Sequence, residues 1–274
     1  MKAAGTPSDT IPADDRGYLY GDGLFETLVA YRGRLLWPHL HLERLALGMQ
    51  RLGMPADLDA IGDALTAAAA GHTEGFGIVR LTLTRGVGPR GYAPPPSASS
   101  RWTILESIAE RDPLLPLEPA AVALSDVILA RQPALAGIKH CNRLEQVLAA
   151  RQADALGVDD VLMATEQGQL HSSSKANLFL FIGDELLTAP CEGQGICGTR
   201  RRLVIEQLAP ALGIAVRFAA INADQLGDVT GAFLCNSVIG IRGVTSIAGR
   251  QIPSDERISL LQQAYRKESL ACVA

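Results

Sequence analysis

A lysine can act as a covalent attachment point only where its surroundings disfavour the charged amine. Lys139, in AGIKHCNRLEQVL, follows an apolar stretch and precedes a helix. Apolar surroundings penalise an ammonium, lower the pKa of the amine and make it nucleophilic toward a carbonyl. Taken alone, Lys139 is better explained as an ordinary surface lysine whose stem lies along apolar surface. Three other segments could serve an anionic ligand. GQGICGTRRRLVIE, residues 193–206, leads Gly193, Gly195 and Gly198 into a helix. Converging backbone N–H groups and a helix N-terminus favour a phosphate, although the segment matches neither the Walker pattern nor GxGxxG. HLHLERL, residues 39–45, carries Arg44 as a single cation on an otherwise apolar helix, able to grip a phosphate through two bonds. His39 and His41 are two apart, point in different directions on a helix, and suggest no metal pair. TRGVGPRGY, residues 84–92, sets Arg85, Arg90 and Tyr92 on a Gly-rich loop, a usual place for groups that meet a substrate carboxylate. Each segment also fits a plainer role: a Gly-rich turn, a surface charge, a solvated basic loop.

Those residues need elements to position them. LFETLVAYRG reads as a strand, with a turn at Arg32-Gly33 before RLLW. HLHLERLALGMQRLGM spaces Leu40, Leu45, Leu47 and Leu52 as a helix does, and Pro55 marks its end. DLDAIGDALTAAAAG is a second helix, closed by Gly71. GFGIVRLTLTRG alternates as a strand, with Val79, Leu81 and Leu83 on one face. RWTILESIAE is another strand. DPLLPLEP holds three prolines and suits a linker. Beyond it AAVALSDVIL reads as a strand, and NRLEQVLAARQADALG as a helix stopped by Gly157. DDVLMAT, NLFLFIG and ELLTA read as short strands, TRRRLVIEQLAPALG as a helix, GAFLCNSVIGIRGVTSI as strand, and the last 20 residues as helix. The pattern predicts an α+β protein without regular βαβ alternation: an N-terminal domain over 1–112, a linker over 113–119 and a C-terminal domain over 120–274 that carries Lys139.

Composition limits the function classes. Hydrophobic residues are 47% and charged residues 20% of the 274, which describes a folded globular chain. A net charge of −4 without a basic cluster argues against nucleic-acid binding. No apolar run is long enough to span a membrane. The polar N-terminus lacks the apolar core of a signal peptide, so a cytoplasmic location is expected. Five cysteines, an odd number with no CxxC pair, fit reduced thiols and not a disulfide frame or a zinc site.

In order along the chain, GYLYGDGLFETLVAYRGRLL, HLERL, IKHCNRLEQVLA, HSSSKANLF, GICGTRR and FLCNSVIGIRGV resemble the class IV aminotransferase family, over about residues 16–245. TRGVGPRGY and KHCNRLEQVLAARQ are similar to its aminodeoxychorismate lyase branch. The resemblance implies a two-domain α+β fold of fold type IV, pyridoxal 5′-phosphate (PLP) as cofactor, a homodimer, and a small-molecule substrate. The activity it implies is release of 4-aminobenzoate and pyruvate from 4-amino-4-deoxychorismate. A D- or branched-chain amino-acid transaminase and a non-catalytic relative stay open as alternatives. Carried over by position, Lys139 is the Schiff-base lysine and proton shuttle. Arg44 contacts the cofactor phosphate, as do the backbone N–H groups of Thr199 and Arg200 and the hydroxyl of Ser237. Arg90, with Tyr92 on the same loop, meets the substrate. The family usually has a glutamate five residues before the Asn of xNLF, bonded to the pyridine nitrogen. Counted from Asn177, that position is Ser172. A neutral hydroxyl supports a protonated ring nitrogen less than a carboxylate does. His171 is adjacent and should face the other way. The departure argues for elimination over transamination, because loss of pyruvate makes an aromatic ring and supplies its own driving force.

Overall fold

The computed structural model describes residues 6–7, 10–96 and 99–274. The chain divides into two compact units. The first holds Met1–Pro113, Ile138–Asn142 and Cys272–Ala274, and the second holds Leu114–Gly137 and Arg143–Ala271.

The first unit is a five-stranded sheet in the order β1-β5-β4-β2-β3. Its strands are β1 (Thr6–Pro7), β2 (Gly23–Tyr31), β3 (Arg34–Leu35), β4 (Phe76–Thr84) and β5 (Arg101–Ile108). β4 runs antiparallel between β2 and β5. Val79, Leu81 and Leu83 are fully buried along β4, in alternation with exposed Arg80. Helices α2 (Pro38–Leu52) and α3 (Leu58–Ala70) follow α1 (Arg16–Tyr20) and bury Leu40, Leu45, Ile61 and Leu65. Each such leucine or isoleucine contributes about 2 kcal/mol through removal from water. Pro38 opens α2, where a missing N–H costs nothing, and Gly53 at φ 56° closes it. Asp57 caps α3 by accepting from the Ala60 N–H at 3.0 Å. The segment 138–142 adds a short edge to β2. The Phe25 N–H donates to the Lys139 carbonyl and the Cys141 N–H to the Gly23 carbonyl, each at 2.9 Å.

The second unit is a nine-stranded mixed sheet in the order β11-β10-β9-β12-β13-β6-β7-β8, with β14 paired to β13. The strands are β6 (Ala120–Leu124), β7 (Asp160–Ala164), β8 (Leu170–Ser173), β9 (Asn177–Ile182), β10 (Glu185–Thr188), β11 (Ala215–Phe218), β12 (Val229–Asn236), β13 (Gly240–Ile247) and β14 (Arg250–Gln251). One further pairing, Ser172 with Asn177, joins β8 back to β9. Six strands thereby close into a ring and share one apolar core that includes Val122, Leu162, Leu170, Leu178, Leu234 and Val244. Helix α4 (Leu144–Leu156) packs Ala149 and Ala153 against Val161 and Met163 of β7. α5 (Thr199–Leu203) continues through a π-helical turn, Val204–Leu208, into α6 (Ala209–Ala211). A 3-10 turn covers Ala223–Gly227, and α7 is Glu256–Cys272.

The unit boundary falls after Pro113, inside the stretch expected as a linker, and Leu114 there is buried. Three features differ from expectation. Lys139, expected in the C-terminal domain, groups with the first unit because its backbone pairs with β2. GAFLCNSVIGIRGVTSI is two strands, since Asn236 Oδ1 accepts from the Val238 and Ile239 N–H groups and turns the chain. The helix after Thr199 widens to a π turn just before Pro210, which has no N–H to keep the regular ladder.

Candidate active site

The first unit presents Lys139 on a fixed backbone. Ile138 is fully buried, and the bonds to Gly23 and Phe25 flank the lysine. Its side chain is half-buried, with Nζ 4.4 Å from the centre of the Phe25 ring. The next residue of β2, Glu26, faces the opposite way, toward α2. There the Arg44 guanidinium grips its carboxylate, Nε to Oε1 at 2.8 Å and Nη2 to Oε2 at 2.6 Å. His41 Nδ1 lies 2.6 Å from the same Oε2. Burial pushes the Glu26 carboxyl up, but Arg44 and His41 outweigh it and hold it down to about 2. Sequence reasoning missed Glu26. The signal was present: a charge on the buried face of a strand, between Leu24 and Leu28.

The TRGVGPRGY loop divides its three candidates. Arg85 is buried and structural: it bonds both Asp22 oxygens and the Leu52 and Gly53 carbonyls at the end of α2. Arg16 shares Asp22 and donates to the carbonyls of Gly91 and Tyr92, which fixes the loop. Arg90 is exposed, and Tyr92 is 85% exposed with its ring edge-on to Tyr20. A cavity of about 670 Å³ in this unit is lined by Met49, Met54, Pro55 and Arg85, and includes neither Lys139 nor Arg44.

The second unit builds a cradle from the Gly-rich segment. Asn177, the first residue of β9, accepts from the Gly198 N–H at 3.1 Å and donates to the Ile196 carbonyl at 2.9 Å. Gly137, at φ 82°, donates to the Gly195 carbonyl and accepts from the Cys197 N–H. Four hydrogen bonds thus hold residues 195–198 from two sides. A side chain at Gly195 would collide with the His171 ring, and one at Gly198 with the Asn177 amide. Gly198 is the N-cap of α5, which puts the amides of Thr199 and Arg200 in the first turn of that helix. The Arg200 side chain is buried and turned away from that role, its Nε 3.4 Å from Tyr265 Oη. Ser237 is half-buried in the turn between β12 and β13.

Ser172 is half-buried at the closure of the strand ring, paired with Asn177 and Met163. Among the described residues no carboxylate is bonded to it. The nearby buried acid, Asp160, accepts from Ser174 Oγ at 2.6 Å. His171 is buried under Gly195, 3.1 Å from the Pro190 carbonyl, and burial lowers its pKa to about 4. Cys191 and Cys197 end the Gly-rich segment in contact. A hydrogen bond to Cys197, and burial, push the Cys191 thiol up. Among the described residues no group of three or more His, Cys, Asp or Glu could hold a metal ion, and no helix is long and apolar enough to cross a membrane.

These groups fit the expected cofactor. Taken unit by unit, the first offers an amine at Lys139, and the second offers a Gly-rich segment held by Asn177 and Gly137 and a hydroxyl at Ser172. An aminodeoxychorismate lyase from Vibrio harveyi is 30% identical over 261 residues, 94% of each chain. The crystal structure of a 4-amino-4-deoxychorismate lyase from Pseudomonas aeruginosa is 33% identical with a TM-score of 0.86, covering 96% of this chain and 97% of that one. A putative branched-chain-amino-acid aminotransferase from Methanocaldococcus jannaschii is 29% identical over 87% of this chain and 83% of its own. A hypothetical aminotransferase from Mycobacterium tuberculosis in its PLP-bound form, 20% identical, shares the fold with a TM-score of 0.82 over 96% of this chain and 94% of that one. The expected α+β architecture of fold type IV is borne out. The amino-transferase class IV model matches residues 23–247, and the chain belongs to that family, whose cofactor is pyridoxal 5′-phosphate.

Proposed function

We propose that the chain is a PLP-dependent lyase that converts 4-amino-4-deoxychorismate to 4-aminobenzoate and pyruvate. The observation that carries this reading is the similarity to two aminodeoxychorismate lyases over at least 94% of the chain. Ser172, in place of the usual glutamate, supports it. Lys139 is the residue that holds the cofactor. Arg44, the Thr199 and Arg200 N–H groups and the Ser237 hydroxyl hold its phosphate, and Ser172 faces its ring nitrogen. PLP, when bound, supplies an electron sink for negative charge that develops beside the substrate amine.

The chain's own residues do the rest. Lys139 Nζ, as the free amine, takes the proton from the ring carbon that bears the substrate amine. Its backbone stays fixed by Gly23 and Phe25, so only the four-carbon stem has to move. The C–O bond to the enolpyruvyl group then breaks, the ring becomes aromatic, and the released enol takes a proton to become pyruvate. Arg90, exposed beside Tyr92, receives a substrate carboxylate, and the hold of Arg16 on the Gly91 and Tyr92 carbonyls keeps that loop in place. On this reading the enzyme is a cytoplasmic homodimer that serves folate biosynthesis.

The test is incubation of purified protein with aminodeoxychorismate, with both products quantified. Pyruvate and 4-aminobenzoate in equal yield are expected. Lys139→Ala should abolish both that yield and the long-wavelength absorbance of bound cofactor. A fully active Lys139→Ala variant would end the proposal. A second reading, an amino-acid transaminase, is favoured by the 29% identity to the archaeal aminotransferase. It predicts amino transfer to a 2-oxo acid and no pyruvate from aminodeoxychorismate alone.

A further inference from the structure

We propose that Glu26 and His41 are positioning residues, which hold the Arg44 guanidinium in the orientation that meets the cofactor phosphate. The inference rests on the reading of Arg44 as a phosphate contact. Glu26 is 1% exposed, and His41 is fully buried. Both carboxylate oxygens are spent on one edge of Arg44, and His41 adds a third bond to Oε2. His41 and Arg44 stand three residues apart on α2, so they share a face and meet the same acid.

As a tie between β2 and α2 this cluster would be a poor choice. Two charges taken out of water cost about as much as their attraction returns, and packed apolar side chains do the same work. Such packing is present beside it, where Gly48 of α2 closes on Leu24 of β2. What the cluster provides, and leucines cannot, is direction. A two-bond grip on the Nε–Nη2 edge fixes the plane of a guanidinium and therefore the line along which its Nη1 edge points. Arg44 keeps 10% of its side chain exposed while its acid keeps 2%, so the arginine is the end of the cluster that reaches outward.

The experiment compares apoprotein titrated with PLP and with pyridoxal, which lacks the phosphate. The ratio of the two affinities isolates the phosphate contribution. Glu26→Gln should lower PLP affinity roughly ten- to a hundred-fold, the scale on which supporting partners of a binding residue act. Pyridoxal affinity should change by less than about twofold, because the lysine side of the site is untouched. His41→Gln should act the same way more weakly, and serves if Glu26→Gln does not fold. In an Arg44→Ala background neither change should alter the ratio further. Equal losses for both ligands would mean a merely structural cluster and would overturn the proposal, as would tighter PLP binding. If Arg44→Ala itself leaves the ratio intact, the phosphate role of Arg44 falls as well. Lyase activity toward aminodeoxychorismate is measured separately and is decided by neither ratio.

Discussion

At the residue scale, the proposed function gives Ser172 the balance between reactions and Lys139 the amine that any of them needs. Ser172→Glu restores a carboxylate at a half-buried position bonded to no other acid. It should raise amino transfer to a 2-oxo acid relative to pyruvate release by roughly tenfold, the effect of about 1.4 kcal/mol on a barrier. A coupled assay for both products reads the ratio, and an unchanged ratio in a folded variant would remove Ser172 from the argument. Motif order was enough to single out Lys139 and Ser172 as candidates in the sequence. Glu26 was not, because its meaning depends on Arg44 and His41, which lie 18 and 15 residues further along the chain. Arg85 was misleading for the same reason: a cation on a Gly-rich loop looks available until Asp22 and the end of α2 come into view.

At the scale of elements, strands with strict alternation and helices with clear stops were read well. β4, α3 and α4 match expectation because their buried faces and caps are local properties. The short strands β8 and β11 were not, since LHSS has a single apolar residue and AVRF is only four residues long and largely exposed, and both are held by their neighbours. The grip on the Gly-rich segment was equally invisible, because Asn177 and Gly137 reach it from distant parts of the chain. Asn177→Ala removes two of its four hydrogen bonds. Each is worth about 1 kcal/mol, so PLP affinity should fall roughly tenfold or more. Fluorescence titration of the apoprotein checks this, and wild-type affinity would show that the cradle stands without Asn177.

At the scale of the whole molecule, two buried groups tie stability to pH. His171 in the second unit has its pKa lowered by burial from 6.5 to about 4. A depressed histidine stabilises fully above its unfolded pKa, and that contribution fades as pH falls from 6.5 toward 4. Glu26 in the first unit, lowered from 4.5 to about 2, contributes fully above pH 4.5 and fades toward pH 2. For His171 the shift corresponds to about 3 kcal/mol. The Tm of the apoprotein should therefore decline in two stages on acidification, and His171→Gln should flatten the first. A Tm that stays level from pH 7 to 5 would contradict the first stage. The division of the chain was only partly legible, since Pro-rich DPLLPLEP marks a boundary but nothing local reveals that residues 138–142 return to the first unit. That return makes the enzyme hard to dissect. A fragment ended at Pro113 would leave the start of β2 without its neighbour, with the Phe25 N–H and the Gly23 carbonyl unpaired on an open edge that invites foreign strands. The complementary fragment would own the lysine but not the sheet that holds it still. Neither half is a module, and recombination between relatives at the apparent boundary would separate Lys139 from its support.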